Sequence, residues 1–290
     1  MTMRYRTLLV LLGCLALAAG ALQSSAPSQR PADLRLPLTP ESVRFAVIGD
    51  SGTGTAEQYQ VAQEMEKFRQ SVGFDFVLML GDNIYGGKDA NSFARKFEIP
   101  YKPLLDAGVK FYASLGNHDD PNERLYAPFN MGGKRYYSFH RGNVAFFALD
   151  SNYMDRAQLK WLEDQLQNSG AAWKICYFHH PLYSEARAHG SDLDLRAALQ
   201  PLFEKYGVNL VFSGHDHVYQ RLQAPDGIYY FVVGNSGQLR YHDLKRTHAL
   251  AAGYDTDRDF LLVEIAGDRV YFQTVSRTGQ TVDAGVLRRQ

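Results

Sequence analysis

Five short polar clusters hold the side chains of this sequence that are best suited to bind metal ions or to transfer protons. Each cluster directly follows an apolar run and draws on carboxylates, amides and imidazoles, which are ligands for hard and borderline cations. The clusters are Gly49-Asp50, Gly81-Asp82-Asn83-Ile84-Tyr85, Gly116-Asn117-His118-Asp119, His179-His180-Pro181 and Gly214-His215-Asp216-His217. A single Gly-Asp or a lone His is most often a turn or a surface residue, but five such clusters in order favour one shared metal site.

The elements predicted in front of these clusters would bring them together. From Val43 onward, apolar runs of strand length alternate with amphipathic stretches of helix length, which predicts a single α/β domain. Because ligands of open α/β sheets bind beyond the carboxyl ends of the strands, the clusters are expected to converge there. The predicted strands are Val43–Ile48, Phe74–Leu80, Val109–Ser114, Val144–Leu149, Trp173–Phe178 and Val208–Phe212, and the predicted helices are Glu57–Ser71, Ser92–Leu105, Arg156–Asn168 and Leu193–Tyr206.

The pattern changes after His217, where the helices give way to predicted antiparallel strands at Ile228–Val233, Phe260–Ile265 and Val270–Val275. The stretch Gly234-Asn235-Ser236-Gly237 behind the first of these strands favours a plain turn, with a contribution to the rim of the pocket as the alternative. Glycine precedes four of the five polar clusters. It suits a tight turn that directs the following side chain into a shared crevice.

Composition excludes several classes of protein. Of 290 residues, 45% are hydrophobic and 21% are charged, which is unlike disordered, collagen-like or coiled-coil chains. The 31 basic residues balance the 31 acidic ones, so no overall field favours nucleic acid or an anionic membrane. Two cysteines cannot form a disulfide framework, and Cys176 lies in an apolar run where a buried, unreactive thiol is expected.

The N-terminus has the features of a secretory signal peptide. Arg4 and Arg6 precede an uncharged run from residue 8 to residue 19, and small residues follow up to Ala21. The run is shorter than the roughly 20 apolar residues of a membrane span. The alternative is a lipoprotein signal, because Leu11-Leu12-Gly13-Cys14 resembles a lipobox. Both interpretations predict an exported protein, periplasmic or secreted.

The expected division of the chain is a signal peptide over residues 1–21, a Pro-rich leader over 22–41 and one catalytic domain over 42–290. An extended leader is favoured because prolines are frequent among Ser and Gln in this stretch. The prolines are Pro27, Pro31, Pro37 and Pro40.

Taken together, the five clusters resemble the motifs of the calcineurin-like metallophosphoesterases, and in detail those of the purple acid phosphatases of small, mammalian type. Tyr85 stands three residues after Asp82, where purple acid phosphatases place a metal-bound tyrosinate. The first cluster continues as Asp50-Ser51-Gly52 and lacks the Asp-x-His of many relatives. The resemblance covers about residues 43 to 220 and implies a four-layer α-β-β-α sandwich of two mixed sheets flanked by helices.

The resemblance also implies two metal ions that share one carboxylate. A phenolate with carboxylates favours Fe(III) at the first site, whereas an amide with imidazoles suits divalent Zn, Fe or Mn at the second. His179 rather than His180 is the expected ligand, because the ligand of the family stands two residues before the proline; His180 is expected to pack. The first ion would be held by Asp50, Asp82, Tyr85 and His217, and the second by Asp82, Asn117, His179 and His215.

The implied function is hydrolysis of phosphate monoesters by attack of a metal-bound hydroxide, outside the cytoplasm, on a small phosphorylated substrate. His118, beside Asn117, would protonate the leaving group, and Asp119 would orient it. His189 is a second candidate catalytic histidine, although its spacing from His179 is one residue longer than in the family. Arg187, Arg240 and Tyr153 are candidates for substrate contact, but base rates favour surface or packing roles for them. No catalytic role is expected for His140, His242 and His248, which lie outside the motifs.

Two other functions could use the same residues. A phosphodiesterase acting on cyclic nucleotides or glycerophosphodiesters would need the same dinuclear site, since the surrounding loops decide between monoesters and diesters. A non-catalytic metal-binding protein is the third alternative, which the intact His118 beside all seven predicted ligands disfavours. No nucleic acid is expected as a partner, and no membrane unless Cys14 is lipidated; the oligomeric state is left open.

Overall fold

Two mixed β-sheets, packed face to face, form the centre of the computed structural model, which describes residues 34–87, 89–223 and 227–289. The predicted signal peptide and the lipidation alternative at Cys14 lie outside these residues. The strands of the described residues are β1 Val43–Ile48, β2 Phe76–Leu80, β3 Lys110–Ser114, β4 Tyr137–Arg141, β5 Val144–Ala148, β6 Trp173–Phe178, β7 Leu210–Ser213, β8 Tyr219–Leu222, β9 Tyr229–Val233, β10 Leu250–Tyr254, β11 Asp259–Ala266, β12 Arg269–Ser276 and β13 Thr281–Arg288.

The six-stranded sheet has the order β13-β12-β11-β1-β2-β3, and only β1, β2 and β3 are parallel neighbours. The seven-stranded sheet has the order β10-β8-β9-β7-β6-β5-β4. Its centre, from β5 through β6 and β7 to β9, is parallel, while β4, β8 and β10 pair antiparallel. The prediction for β9 was therefore half right, because β9 runs antiparallel to β8 but parallel to β7.

Short helices connect the strands. The helix predicted over Ser92–Leu105 is wrong as a continuous element, because a π-helical turn over Ala94–Glu98 separates two short helices. Pro100 and Pro103 lack the N–H groups that a regular helix needs. Within the described ranges, none of the helices combines the length and the apolar character that crossing a membrane requires. The helices are α1 Ala56–Val72, α2 Ala90–Phe93, α3 Lys102–Asp106, α4 Arg156–Asn168 and α5 Leu193–Tyr206.

Aromatic side chains fill the space between the two sheets. The ring of Phe45 on β1 stacks on Phe76 of β2 at a centroid distance of 5.2 Å. It meets Phe146 and Phe212 of the seven-stranded sheet edge-on, at 5.4 and 6.1 Å. Edge-on aromatic pairs contribute about 0.5–1.5 kcal/mol each beyond the area they bury. This interface holds the two sheets in a fixed relation.

Helices cover the outer face of each sheet. Phe68 of α1 contacts Phe260 of β11 at 6.0 Å, while Leu162 of α4 and Leu199 of α5 are buried against the seven-stranded sheet. The predicted four-layer fold is thus confirmed. Cys176 on β6 is fully buried, and burial raises the pKa of its thiol, which makes it unreactive as predicted.

Residues 34–41, at the end of the predicted leader, lie on the six-stranded sheet without forming a helix or strand. Leu36 is buried in the core. The backbone amides of Leu38 and Thr39 donate to the buried carboxylate of Glu264 on β11, over 2.8 and 2.5 Å. These bonds satisfy a carboxylate that would otherwise be buried at a large cost.

Candidate metal centre

The predicted metal ligands lie at the carboxyl ends of strands from both sheets. In the six-stranded sheet, Asp50, Asp82 and Asn117 follow β1, β2 and β3. In the seven-stranded sheet, the ligands that follow β6 and β7 are His179, His215 and His217. The candidate centre therefore spans the edge at which the two sheets end side by side, which is where an open α/β sheet binds its ligands.

Glycine precedes the ligands because their loops approach one another too closely for a side chain. A Cβ atom on Gly116 would lie 2.2 Å from Oδ1 of Asp82, and one on Gly214 would lie 2.5 Å from Oδ2 of Asp50. Both distances are far shorter than a van der Waals contact. The glycines predicted at tight turns therefore also allow the ligand loops to converge.

Three of the predicted ligands have left-handed backbone conformations. The φ angles are 52° at Asp50, 52° at Asp82 and 69° at His215. Residues other than glycine rarely adopt this region, and those that do cluster at functional sites. The surrounding hydrogen bonds hold it, since the amide of His215 donates to Oδ2 of Asp50 over 2.8 Å and the amide of Asp50 to Gly81 O over 3.1 Å.

The first half of the centre consists of Asp50, Tyr85 and His217. The hydroxyl of Tyr85 lies 3.2 Å from Oδ1 of Asp50 and 3.2 Å from Nε2 of His217. Nε2 of His217 lies 3.4 Å from the same Asp50 oxygen. The structure thus brings together a phenol, a carboxylate and an imidazole, as predicted for the first metal ion.

The second half consists of Asn117, His179 and His215. Oδ1 of Asn117 lies 3.0 Å from Nε2 of His179 and 3.1 Å from Nδ1 of His215, and the two nitrogens are 3.2 Å apart. Ligand atoms around one ion with bonds of about 2.0–2.1 Å are separated by similar distances. Nδ1 of His179 lies 2.9 Å from Leu80 O and donates to it, which leaves Nε2 free to bind a cation.

Asp82 lies between the two halves, as predicted for the shared carboxylate. Its Oδ1 is 3.5 Å from Nε2 of His179 and accepts the backbone N–H of His118 over 2.9 Å. Ligand atoms of Asp50, Asp82 and His179 all lie within 4.8 Å of one another.

The electrostatics of the centre favour bound cations. Burial raises the pKa of Asp50 to about 7 although His217 bonds to it, and it raises the pKa of Tyr85 far above its usual value. Burial lowers the pKa of His215 to about 2. Among the described residues, no lysine or arginine pairs with the buried carboxylates of Asp50 and Asp82, whose neighbours are the imidazoles of His217 and His179. Metal ions would supply the positive charge that these carboxylates and an ionised Tyr85 require, so the residues fit a dinuclear centre.

A cavity of about 460 Å³ opens beside the second half of the centre. Asn117 and His180 line its inner end, and Asp150, Asn152 and Tyr153 line its walls. Its volume lies within the range of small-molecule sites in proteins. Tyr153 is exposed, as predicted, and also lines this cavity.

A match to the family model of the calcineurin-like phosphoesterases covers residues 43–219, which include every predicted metal ligand. The chain belongs to this family. The resemblance predicted from the polar clusters is confirmed, and with it the prediction that the chain is a metal-dependent phosphoric ester hydrolase. A dinuclear metal site is expected throughout such proteins, in agreement with the two halves described above.

Calcineurin-like phosphoesterases of the acid phosphatase type are similar to this chain. Tartrate-resistant acid phosphatase type 5 from Rattus norvegicus is 29% identical, over 83% of this chain and 89% of its own length. Purple acid phosphatase 17 from Arabidopsis thaliana is 29% identical, over 68% of each chain. A solved structure, GAP50, the anchor in the inner membrane complex of Plasmodium, shares the fold with a TM-score of 0.74 and 20% identity, over 86% of this chain and 89% of its own.

His118 lies at the mouth of the centre of this phosphoesterase. Its side chain is exposed, and its ring centroid is 5.0 Å from that of Tyr85. The prediction that Asp119 orients this ring is wrong. The Asp119 carboxylate accepts instead from the amides of Asn83, Ile84 and Gly116, over 2.6, 3.1 and 2.8 Å, and so ties together the loops that carry Asp82 and Asn117.

His189 and His180 both pack on His215, with ring centroids 4.4 Å from it. The candidate catalytic residue His189 is thus at the centre. His180 was expected only to pack, but it also lines the cavity, where its Nδ1 lies 2.9 Å from Oγ of Ser151. By contrast, His140 lies exposed on the edge strand β4, in accordance with its prediction.

Two supporting features had no clear signal in the sequence. Lys96, in the π-helical turn, is buried and donates to the carbonyls of Tyr85 and Gly86, so it fixes the loop that carries the predicted tyrosinate. The stretch 234–237, predicted as a plain turn, forms part of the floor, because a Cβ on Gly234 would lie 3.1 Å from Oδ2 of Asp50. Both depend on contacts between residues distant in the chain.

Proposed function

We propose that the protein is an exported phosphatase that uses two metal ions to hydrolyse phosphate monoesters. The convergence of the seven predicted ligands, with Asp82 between the two halves, beside an exposed His118 is the observation that carries this proposal. Similarity to acid phosphatases supports the monoester as substrate. The signal-peptide pattern that ends at Ala21 supports export, with lipidation at Cys14 as the other route.

The two halves differ in the ions they favour. The first half, with the phenol of Tyr85 and the carboxylate of Asp50, suits Fe(III), and the second half suits a divalent Zn, Fe or Mn ion. When bound, such ions lower the pKa of water towards neutrality and offset the charge of the phosphoryl group. Asp82 would be the ligand common to both.

The remaining residues of the centre handle the leaving group. His118 is exposed above the centre and can donate a proton to the departing alkoxide oxygen. The cavity beside Asn117 has room for the alcohol part of the ester. Ser151 accepts the amide of His180 over 3.1 Å and also contacts its ring, which holds that imidazole at the end of the cavity.

The choice between monoester and diester is tested with two chromogenic substrates that release the same alcohol. We expect kcat/KM for the monoester to exceed that for the bis-ester across acidic and neutral pH. A ratio below one would replace the proposal with the phosphodiesterase alternative. Absence of turnover on both esters in the metal-loaded protein would favour a non-catalytic metal-binding role.

The metal ions and the export route need separate measurements on protein purified from its native compartment. Metal analysis is expected to give two ions per chain, one of them iron, together with a violet absorption band from tyrosinate-to-iron charge transfer. Mass spectrometry of the mature N-terminus distinguishes cleavage near Ala21 from a lipidated Cys14. An active, colourless and iron-free protein would reject Fe(III) at the first site, and an unprocessed chain would reject export.

A further inference from the structure

Arg240, for which the sequence favours a surface or packing role over substrate contact, lies beside the metal centre. Its side chain is exposed, and Nη2 lies 3.3 Å from Nε2 of His189. The ring of His189 in turn packs on His215, with centroids 4.4 Å apart. Arg240 therefore reaches the second half of the centre through His189.

The backbone around Arg240 is fixed to both halves of the centre. The amide of Arg240 donates to the carbonyl of His217 over 2.9 Å, and the amide of Gln238 donates to the carbonyl of Asp50 over 3.0 Å. Gly237 lies against Ser51, since a Cβ there would be 2.4 Å from Ser51 O. The segment 234–240 is thus attached to the ligand loops and does not move independently of them.

Among the described residues, no carboxylate neutralises the positive charge of the Arg240 guanidinium. Other arginines of this sheet region are neutralised: Arg221 pairs with Asp283 at 2.8 Å and Arg246 with Asp255 at 3.2 Å. In the described part of the chain, His189 is the side chain to which Arg240 bonds, and no carboxylate pairs with it. An unneutralised arginine beside a phosphoesterase centre attracts anions.

The contact with His189 also determines which ring nitrogen of that imidazole accepts a hydrogen bond. A guanidinium can only donate, so Nε2 of His189 accepts the bond and its proton is carried by Nδ1. The remaining N–H groups of Arg240 stay free for an anionic ligand. A guanidinium binds two oxygens of one phosphoryl group at once, which a lysine ammonium cannot reproduce.

We propose that Arg240 binds the terminal oxygens of the phosphoryl group and makes the enzyme select dianionic monoesters over monoanionic diesters. This inference rests on the proposed phosphatase function. A monoester offers one more terminal oxygen and one more negative charge than a diester, in which a second alcohol blocks that oxygen. Arg240 therefore stabilises bound monoester more than bound diester.

The test compares Arg240→Gln and Arg240→Lys with a matched control, Arg288→Gln, which removes an exposed arginine from the edge strand β13. Loss of a charge-assisted hydrogen bond should lower kcat/KM for a chromogenic monoester roughly 10- to 100-fold in Arg240→Gln. The bis-ester of the same alcohol should lose less than about threefold. Arg240→Lys should fall between, and Arg288→Gln should match the wild type.

Inhibition by inorganic phosphate and metal analysis complete the test. Arg240→Gln should retain two metal ions and should require about tenfold more phosphate for half-inhibition. Equal losses on both esters, or unchanged inhibition by phosphate, would overturn the role of Arg240. A wild type that prefers the bis-ester would overturn the proposed phosphatase function instead, and the phosphate inhibition of the variants would still decide whether Arg240 binds phosphate.

Discussion

The two halves of the candidate centre differ in chemistry and in access. The first half, Asp50, Tyr85 and His217, is rich in oxygen and is closed by three contacts of 3.2 to 3.4 Å around a fully buried carboxylate. The second half, Asn117, His179 and His215, is rich in nitrogen and opens through the exposed Asn117 to the cavity. The comparison indicates that the fold encloses the first half of the centre and leaves the second half open to the cavity.

Removing the carboxylate between the halves should break both. Asp82→Asn preserves the size of the side chain but removes the charge that two cations share. We expect both ions to be lost and the activity to fall to the uncatalysed background. This loss is larger than the roughly 10- to 100-fold decrease that follows removal of a residue hydrogen-bonded to a metal ligand. Metal analysis and steady-state kinetics measure this. Asp106→Asn, on the exposed side of α3, is the control, and a variant that keeps two ions would contradict the bridging role.

Removing the proton donor should leave both halves intact. His118→Ala keeps the backbone N–H that bonds Asp82, so two ions should remain bound. Turnover should fall by about 10²- to 10³-fold, as expected for loss of a general acid. The loss should be larger for an alkyl phosphate than for a nitrophenyl phosphate, whose alcohol leaves without a proton. An equal loss on both substrates would assign His118 to substrate binding.

Tyr85→Phe should separate the halves spectroscopically. The variant loses the phenolate of the first half, so the violet band should disappear while the second ion stays bound. Asn117→Ala should do the reverse, releasing the second ion and keeping the colour. Tyr59→Phe, which removes an exposed hydroxyl bonded to Arg95, controls for loss of a tyrosine. A Tyr85→Phe protein that remains violet would place another group on the iron.

The smallest expected effect is on the pH dependence of stability, through Glu123 in the loop that follows Asn117. Burial raises the pKa of Glu123 from 4.5 to about 7, so the folded protein keeps a proton that the unfolded chain releases between these values. This contribution to the free energy of unfolding is complete below pH 4.5, is lost as the pH rises through about 7, and amounts to roughly 3 kcal/mol. Glu123→Gln should therefore flatten the decline in stability over this range.

Denaturant unfolding at several pH values measures the effect of Glu123→Gln. Glu204→Gln, on the exposed side of α5, should leave the pH dependence of the wild type unchanged. Hydrogen exchange in residues 116–126 would show whether the decline is localised to the support of the second half. A wild type whose stability rises from pH 5 to 7 in that loop would contradict the protonated state of Glu123.

Most of the fold and the ligand set could be predicted because each depends on short-range pattern. β1 and β6 were predicted with the observed bounds, since β-branched and aromatic residues dominate both runs and a glycine or histidine follows each of them. The edge strand β13 was missed because its residues are half exposed and include Asp283 and Gly285, which are rare in strands and weaken the pattern. The helix predicted over 92–105 is too long, because the apolar periodicity of this stretch favours one continuous helix although its prolines interrupt it.

Residues that act across the fold could not be found this way. Arg240 stands 23 positions after His217, and contacts that close only in the folded chain, such as the hydrogen bond from its amide to that carbonyl, bring it to the centre. Lys96 lies in a π-helical turn that the sequence pattern did not predict, and from there it bonds to the Tyr85 loop. Asp119, adjacent to His118 in sequence, turns away from it because three backbone amides of neighbouring loops compete for its carboxylate.

The left-handed conformations of Asp50, Asp82 and His215 limit how this enzyme can change over evolution. Asparagine and glycine adopt that region at little cost, whereas β-branched residues do so rarely. A lineage that abandons catalysis should therefore drift at these positions towards Asn or Gly, which preserve the loops, and seldom towards Val, Ile or Thr. The same restriction applies to protein engineering: a library that aims to change the metal ions of this centre should exclude β-branched residues at these three positions.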